Sequence, residues 1–302
     1  MLRYFVCSDV HDDLPALRAF TAVAQRERAD RIFVLGSLLL RPYRPQMLSR
    51  YLEACGHEPE AAKAQFIEEV GVYATQHLRA MKGVLDSSGI EYHVLPGECD
   101  PDLEPVFGRC SMHNKSAVLD ERRVFGYGGA VSCPRQVELL KEWGWTVRHD
   151  NVDFYRALNR ENAQVCVSHM PPKYLCDEES DGTHKGSLGL WGHVDSFSPS
   201  LVLCGHVRES GPLGRRSSKD VPGFSRRVGT ILGAPTVVIN AGNLGRFGIS
   251  DPGRLHVRRM VEGSFVQVDM GERGACQLVQ YKVPKCEESP ARDISVIDTI
   301  VF

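Results

Sequence analysis

No apolar run in the 302-residue chain approaches the roughly 20 consecutive positions that a helix needs to cross a bilayer. The N-terminus, MLRYFVCSD, passes from one Arg straight into a short apolar strand. It has neither the long apolar stretch nor the small-residue cleavage site of a secretory leader, so a cytoplasmic location is expected. An excess of one charge is also missing. With 36 Lys plus Arg against 38 Asp plus Glu, the net charge of -2 gives no electrostatic footing for nucleic acid or an anionic membrane. One local basic cluster, Arg215, Arg216, Lys219, Arg226 and Arg227, lies among Gly, Pro and Ser and reads as a solvated loop. The 10 cysteines include no C-x-x-C pair and no zinc-finger spacing. Cys7, Cys166 and Cys204 sit in apolar strand-like runs, where a thiol behaves as a small hydrophobe, and a reduced compartment without structural disulfides is expected. Neither a Pro/Ser-rich linker nor a shift in composition divides the chain, which reads as one domain over residues 1–283 followed by a tail, 284–302.

Against these absences stand short apolar runs that each end in a polar or Gly-rich turn. They are Leu2 to Cys7, Arg31 to Leu35, Tyr92 to Leu95, Gln164 to Val167, Leu201 to Cys204 and Thr236 to Ile239. Strands buried on both faces have this pattern. Helical patterns lie between several of them, the first from Leu14 to Arg28 with Asp12 or Asp13 as N-cap and Pro15 in its first turn. Alternating strands and helices imply a layered α/β fold. Pro45 to Ser88 is rich in Ala, Glu, Gln, Leu and Lys, with Phe66, Val70, Tyr73 and Ala74 at helical spacing, and predicts a helical insertion of one or two long helices. Arg254 to Val283 alternates apolar and polar residues as antiparallel strands do. For the tail, with its apolar ending ISVIDTIVF, a frayed end and a docked edge strand are both open.

Metal-binding residue types gather just after the predicted strands. Asp9, His11, Asp12 and Asp13 follow the first; Gly97, Glu98, Cys99 and Asp100 follow the third; His169 follows a later one, and Gly205, His206 and Arg208 another. Ligands in α/β sheets bind outside the carboxyl ends of the strands, so these groups can meet in one crevice.

In this order, SDVH, LGS, PGECD, VSHMPP and CGHVRES resemble the signature of the calcineurin-like metallophosphoesterases. That signature runs D-x-H, G-D, G-N-H-D or G-N-C-D, a His after a strand, then G-H-x-H. The resemblance covers residues 1–245 and takes in GYGG at Gly126 to Gly129, THKGS at Thr183 to Ser187 and VINAGNLG at Val238 to Gly245. It implies a four-layer αββα sandwich of two mixed sheets, with two divalent metals that clamp a phosphate ester and activate water. By the same resemblance Asp9 and His11 take first-metal positions, His169 and His206 second-metal positions, and His184 lies near the mouth of the site.

Three positions depart from the pattern. Ser37 replaces the Asp that bridges the metals, Glu98 replaces the second-metal Asn, and Arg208 replaces the final His; Cys99 stands where many members carry a His that protonates the leaving group. A hydroxyl is a neutral and poor bridge between two cations, whereas Glu98 restores the lost negative charge on a neighbouring strand end. Arg208 adds a permanent cation with planar donors. The expected centre is therefore mononuclear: one ion of Mn, Fe or Zn on Glu98, His169 and His206, with Arg208 turned inward beside Asp9 in place of the first metal. The candidate catalytic residues are Asp9, His11, Cys99 and Arg208, the candidate substrate contacts His184 and Arg208, and the candidate metal ligands Asp9, His11, Glu98, His169 and His206. A metal-dependent hydrolase of phosphate mono- or diesters, taking a phosphate-ester or nucleotide ligand, is one expectation. The other is a catalytically inactive fold that holds no metal and serves as a binding platform, with a protein partner on an apolar patch of the Pro45 to Ser88 segment. Asn240, Gly242 and Asn243 read as turn builders.

Overall fold

The first strand, β1 (Leu2–Cys7), turns Tyr4 and Val6 to one side and Phe5 and Cys7 to the other, and all four are buried. A strand buried on both faces needs a layer on each side. The computed structural model supplies them and describes residues 1–131, 135–214, 221–250, 257–272, 274–284 and 294–302. Arg215, Arg216, Lys219, Cys133 and Cys286 lie outside the described residues; every described cysteine is a free thiol.

After β1 come α1 (Leu14–Arg26), β2 (Arg31–Val34), α2 (Pro45–Cys55), α3 (Pro59–Ser87) and β3 (Glu91–Val94). A short α4 (Glu104–Phe107) leads to the hairpin β4 (Lys115–Leu119) and β5 (Arg122–Tyr127). Next are α5 (Arg135–Glu142), α6 (Asn151–Glu161), β6 (Val165–Ser168), α7 (Leu188–Phe197) and β7 (Leu201–Cys204). The chain closes with β8 (Phe224–Val228), β9 (Pro235–Asn240), β10 (Phe247–Ser250), β11 (Val257–Met260), β12 (Gly263–Gly271), β13 (Gly274–Val283) and β14 (Ser295–Val301). Two six-stranded mixed sheets result, in the orders β14-β13-β12-β1-β2-β3 and β4-β5-β6-β7-β9-β8. The ISVIDTIVF ending is thus a docked edge strand, paired antiparallel with β13.

Three apolar clusters define four layers. Tyr4, Val6, Phe33, Val167, Leu203 and Val266 fill the space between the sheets. Phe5, Cys7, Ile32 and Val34 pack outward against Phe20 of α1 and Leu78 and Met81 of α3. On the far side Cys166, Val202 and Cys204 pack against Phe154 of α6 and Leu190 and Val194 of α7. Of the residues at helical spacing in α3, Phe66, Val70 and Ala74 are buried and Tyr73 is half-buried, and the buried stripe continues through Leu78 and Met81. The apolar surface patch expected on this segment is not formed among the described residues: its exposed large apolar side chains are Leu52 and Val72, one on each helix. Asp13, rather than Asp12, caps α1 by accepting from the Ala16 N–H at 2.9 Å.

The layers bury two histidines as neutral rings. His193 sits between α7 and α6 with Nδ1 2.9 Å from Asn159 Oδ1, and burial lowers its pKa from 6.5 to about 4. His93 is lowered to about 4 by burial and by the Arg31 charge. Below pH 6.5 the unfolded chain takes up protons that these folded rings refuse, so stability falls as the pH drops from 6.5 towards 4, by on the order of 3 kcal/mol per ring. Urea midpoints measured at pH 7 and pH 4.5 should lie closer together in His193→Leu than in the wild type; an unchanged separation would show that this ring does not drive the acid response.

Candidate metal centre

The site is made of loops that leave the C-terminal ends of β1, β2, β3, β6 and β7. The chain bends sharply there: Asp9 (φ 53°), His11 (φ 50°), Ser37 (φ 49°) and His206 (φ 63°) all adopt left-handed backbone conformations. Residues with a Cβ rarely do so, and such strain concentrates where side chains are aimed for function. Backbone hydrogen bonds hold the bends in place. Asp9 N–H donates to the Gly36 carbonyl at 2.9 Å, His11 N–H to Ser37 at 3.0 Å and Leu244 N–H to Ser8 at 2.8 Å. The buried Asp100 carboxylate joins the loops after β2 and β3, accepting from the N–H groups of Leu38 and Leu39 at 3.0 Å and of Gly97 at 2.8 Å. Burial, with the Glu98 charge adding, raises Asp100 to about 6. A Cβ on Gly97 would stand 2.1 Å from the Ser37 nitrogen, so glycine is required for the close approach that follows.

That approach brings Ser37 Oγ to 2.5 Å from Glu98 Oε2. The same oxygen lies 2.7 Å from His169 Nε2 and 3.5 Å from His206 Nδ1, and the two ring nitrogens are 3.1 Å apart. His169 Nδ1–H donates to the Leu35 carbonyl at 2.7 Å, which fixes the ring and points Nε2 into the centre. Burial by itself would lower the His169 pKa; the hydrogen bond and charge of Glu98, helped by Asp9, override it and raise the pKa to about 9. Burial likewise pushes Glu98 up, yet the two histidines hold its carboxyl well below the ordinary range. Glu98, His169 and His206 offer ligand atoms that all lie within 4.8 Å of one another. One carboxylate and two imidazoles, one of them already braced on a backbone carbonyl, fit a single divalent ion and leave open positions.

Asp9 and His11 lie outside that three-residue group. Asp9 Oδ1 is 3.4 Å from His11 Nε2, and Oδ2 accepts from Ser8 Oγ at 2.6 Å and from the His206 N–H at 3.0 Å. Burial raises the Asp9 pKa, but the His11 contact and the nearby imidazoles outweigh it and keep the group below the usual value. The expected Asp9–Arg208 pair is not formed. The Phe247 ring, buried at the start of β10, lies 4.2 Å from the His11 ring, and the Arg208 guanidinium sits 5.2 Å over that same Phe247 ring. The Phe247 ring thus contacts both His11 and Arg208, and the guanidinium stacks on an aromatic ring in place of an ion pair. Phe247 is held from behind, since Asp13 accepts from the backbone N–H of Arg246 at 2.9 Å and from its Nε at 2.7 Å. No ion pair involves Arg208 among the described residues.

No family model and no curated protein matches this sequence. Solved structures do. A dimetal phosphatase from Danio rerio superposes at a TM-score of 0.50 with 12% identity, covering 98% of this chain and 98% of its own. The Thermus thermophilus protein TT1561 does so at 0.50 with 16% identity over 85% of this chain and 97% of its own. A further solved structure reaches 0.57 with 18% identity over the same shares, 85% and 97%. The chain has the metallophosphoesterase fold. Identities this low carry the fold and nothing finer.

Within the metallophosphoesterase fold the remaining candidates, Cys99 and His184, are not part of the three-residue group. Cys99 is a buried thiol. His184 Nδ1 pairs with the buried Asp177 at 2.7 Å, and its ring meets Tyr174 edge to face at 5.1 Å. Asn240 and Asn243 do build the turn: Asn240 Oδ1 accepts from Gly242 N–H at 2.9 Å, and Asn243 Nδ2 donates to the Gly245 carbonyl at 2.9 Å. Two contributors carry no sequence signal. Phe247 reads as an ordinary strand residue, and His149, 3.1 Å from Ser187 Oγ and lowered to about 4 chiefly by burial, lies in an unremarked loop.

The contact between Ser37 and Glu98 yields a direct test of whether the two positions share one charge. Ser37→Asp alone sets a second carboxylate against buried Glu98 and should destabilise the chain by roughly 3 kcal/mol. Ser37→Asp with Glu98→Asn should recover most of that loss, and chemical denaturation of the two single variants and the pair measures the coupling. Additive effects would mean that the two positions do not share one charge.

Proposed function

We propose that this chain is a metal-dependent hydrolase of phosphate mono- or diesters that works with one divalent ion, Mn, Fe or Zn, on Glu98, His169 and His206. The observation that carries the reading is the convergence of those three ligand atoms two residues from an arginine without an ion pair among the described residues. A divalent ion at these ligands supplies Lewis-acid polarisation of the phosphate and a lowered pKa for water. Arg208 presents planar N–H donors to the non-bridging phosphate oxygens, and the face of Phe247 keeps the guanidinium in one plane. Asp9 acts as a support in this reading, fixing the His206 backbone, with His11 bracing Asp9 in turn. Cys99 is buried and is assigned no role in protonating the leaving group in this reading.

A second reading, a catalytically inactive fold used for binding, also has a specific observation in its favour. The Glu98 carboxylate is already satisfied by Ser37 Oγ at 2.5 Å and His169 Nε2 at 2.7 Å, so the centre closes on itself without an ion. Metal content decides between the two. The hydrolase reading expects about one ion per purified chain, with cleavage of a generic phosphodiester that chelation removes. His206→Ala should then lower turnover by more than roughly a hundredfold, beyond the loss expected for an outer-shell partner. Arg208→Ala should raise KM more than it lowers kcat, with Arg208→Lys recovering part of the loss. A metal-free chain, or turnover that survives His206→Ala, rules this centre out.

A further inference from the structure

The segment between β6 and α7 begins at His169 and is hydrogen-bonded to the loop that bears Arg208. Pro171 and Lys173 pair with Ser187 through N–H···O bonds of 2.8 and 3.0 Å, and Leu175 N–H closes a turn onto the Pro172 carbonyl at 3.1 Å. Tyr174 is the third residue of that turn and has φ 70°. Glycine ordinarily takes such a position, because a side chain there is strained. The strained residue is nevertheless a tyrosine, and it is 54% exposed.

Its surroundings are aromatic and polar. The Tyr174 ring meets His184 at 5.1 Å and Trp191 at 5.7 Å, both edge to face, and Lys173 Nζ lies 5.8 Å from its centroid. His184 Nδ1 donates to the buried Asp177 carboxylate at 2.7 Å, which fixes the ring and leaves Nε2 to meet a ligand. The segment is fastened to the Arg208 loop. A single amide, Asn240 Nδ2, donates to the carbonyls of both Cys176 and Val207 at 3.0 Å, and Ser210 Oγ donates to the Glu178 carbonyl at 2.9 Å. Tyr174 is two residues from Cys176, a separation of at most about 7 Å between Cα atoms.

We infer that Tyr174, with Lys173 over one face of its ring and His184 beside it, is a stacking platform for the base of a nucleoside phosphate whose phosphate is held at Arg208. The inference rests on the proposed phosphate site and names its substrate class. A π-face accepts any planar ring, but a polar ring nitrogen at His184 and a donor at Lys173 Nζ suit the polar edge of a nucleobase and not a bare phenyl ring.

Calorimetric titrations of the full chain with AMP and with ribose 5-phosphate, which carries the phosphate without the base, test this. The wild type should bind AMP about tenfold more tightly than ribose 5-phosphate. Tyr174→Gly, which suits the turn and should be at least as stable as the wild type, should erase that preference, and Tyr174→Phe should keep it. A preference that survives Tyr174→Gly overturns the platform, and so does an equal preference for O-phosphotyrosine. If AMP is favoured but never cleaved, the hydrolase reading fails and the platform stands. If both ligands are cleaved without preference, the platform fails and the hydrolase stands. Absence of binding by either ligand overturns both.

Discussion

A carboxylate taken out of water must find compensating donors, and the site depends on how Glu98 meets that demand. Its Oε2 collects the Ser37 hydroxyl, the His169 ring and the His206 ring, which come from loops after β2, β6 and β7, while Glu98 itself follows β3. One oxygen therefore sets the spacing of four strand ends drawn from both sheets. The tolerances are narrow because an uncompensated buried charge is among the most destabilising features a fold can carry. Gly97 permits the contact, Leu35 orients His169 through its carbonyl, and Asp100 ties the second and third loops together below it.

The negative charge of Glu98 lies against His169 and His206, while Asp9 stands apart from that group beside His11. Asp9 is in turn occupied by Ser8, His11 and the His206 backbone. Phe247 fills the adjoining space, and Arg208 lies over its ring rather than against a carboxylate. The crevice is thus polar and ligand-rich on one side and aromatic and cationic on the other, an asymmetry that a two-metal site would not need.

Much of this could be read from residues alone, for a physical reason. Strands such as Leu201–Cys204 are buried on both faces and announce themselves as unbroken apolar runs, and the polar residues that follow them fall in the same crevice because parallel strands end on the same side. The convergence of Glu98, His169 and His206 was legible for the same reason. The hairpin β4–β5 was not, since its exposed positions dilute the pattern, and the ISVIDTIVF ending was ambiguous because an edge strand is solvated along one side. The partner of Arg208 was misplaced. Charge complementarity pointed to Asp9, but whether a ring intervenes depends on where the chain returns after the Asn240 turn, and no local pattern around Phe247 encodes that.

The Asn240 amide carries a further consequence. Because one nitrogen donates to both Cys176 and Val207, the segment bearing Tyr174 and the loop bearing His206 and Arg208 share a hinge pin. Neither can swing outward without either pulling the other along or stripping a buried donor of an acceptor. The two segments accordingly behave as one jaw, whose opening is set by a side chain that touches nothing in the crevice itself.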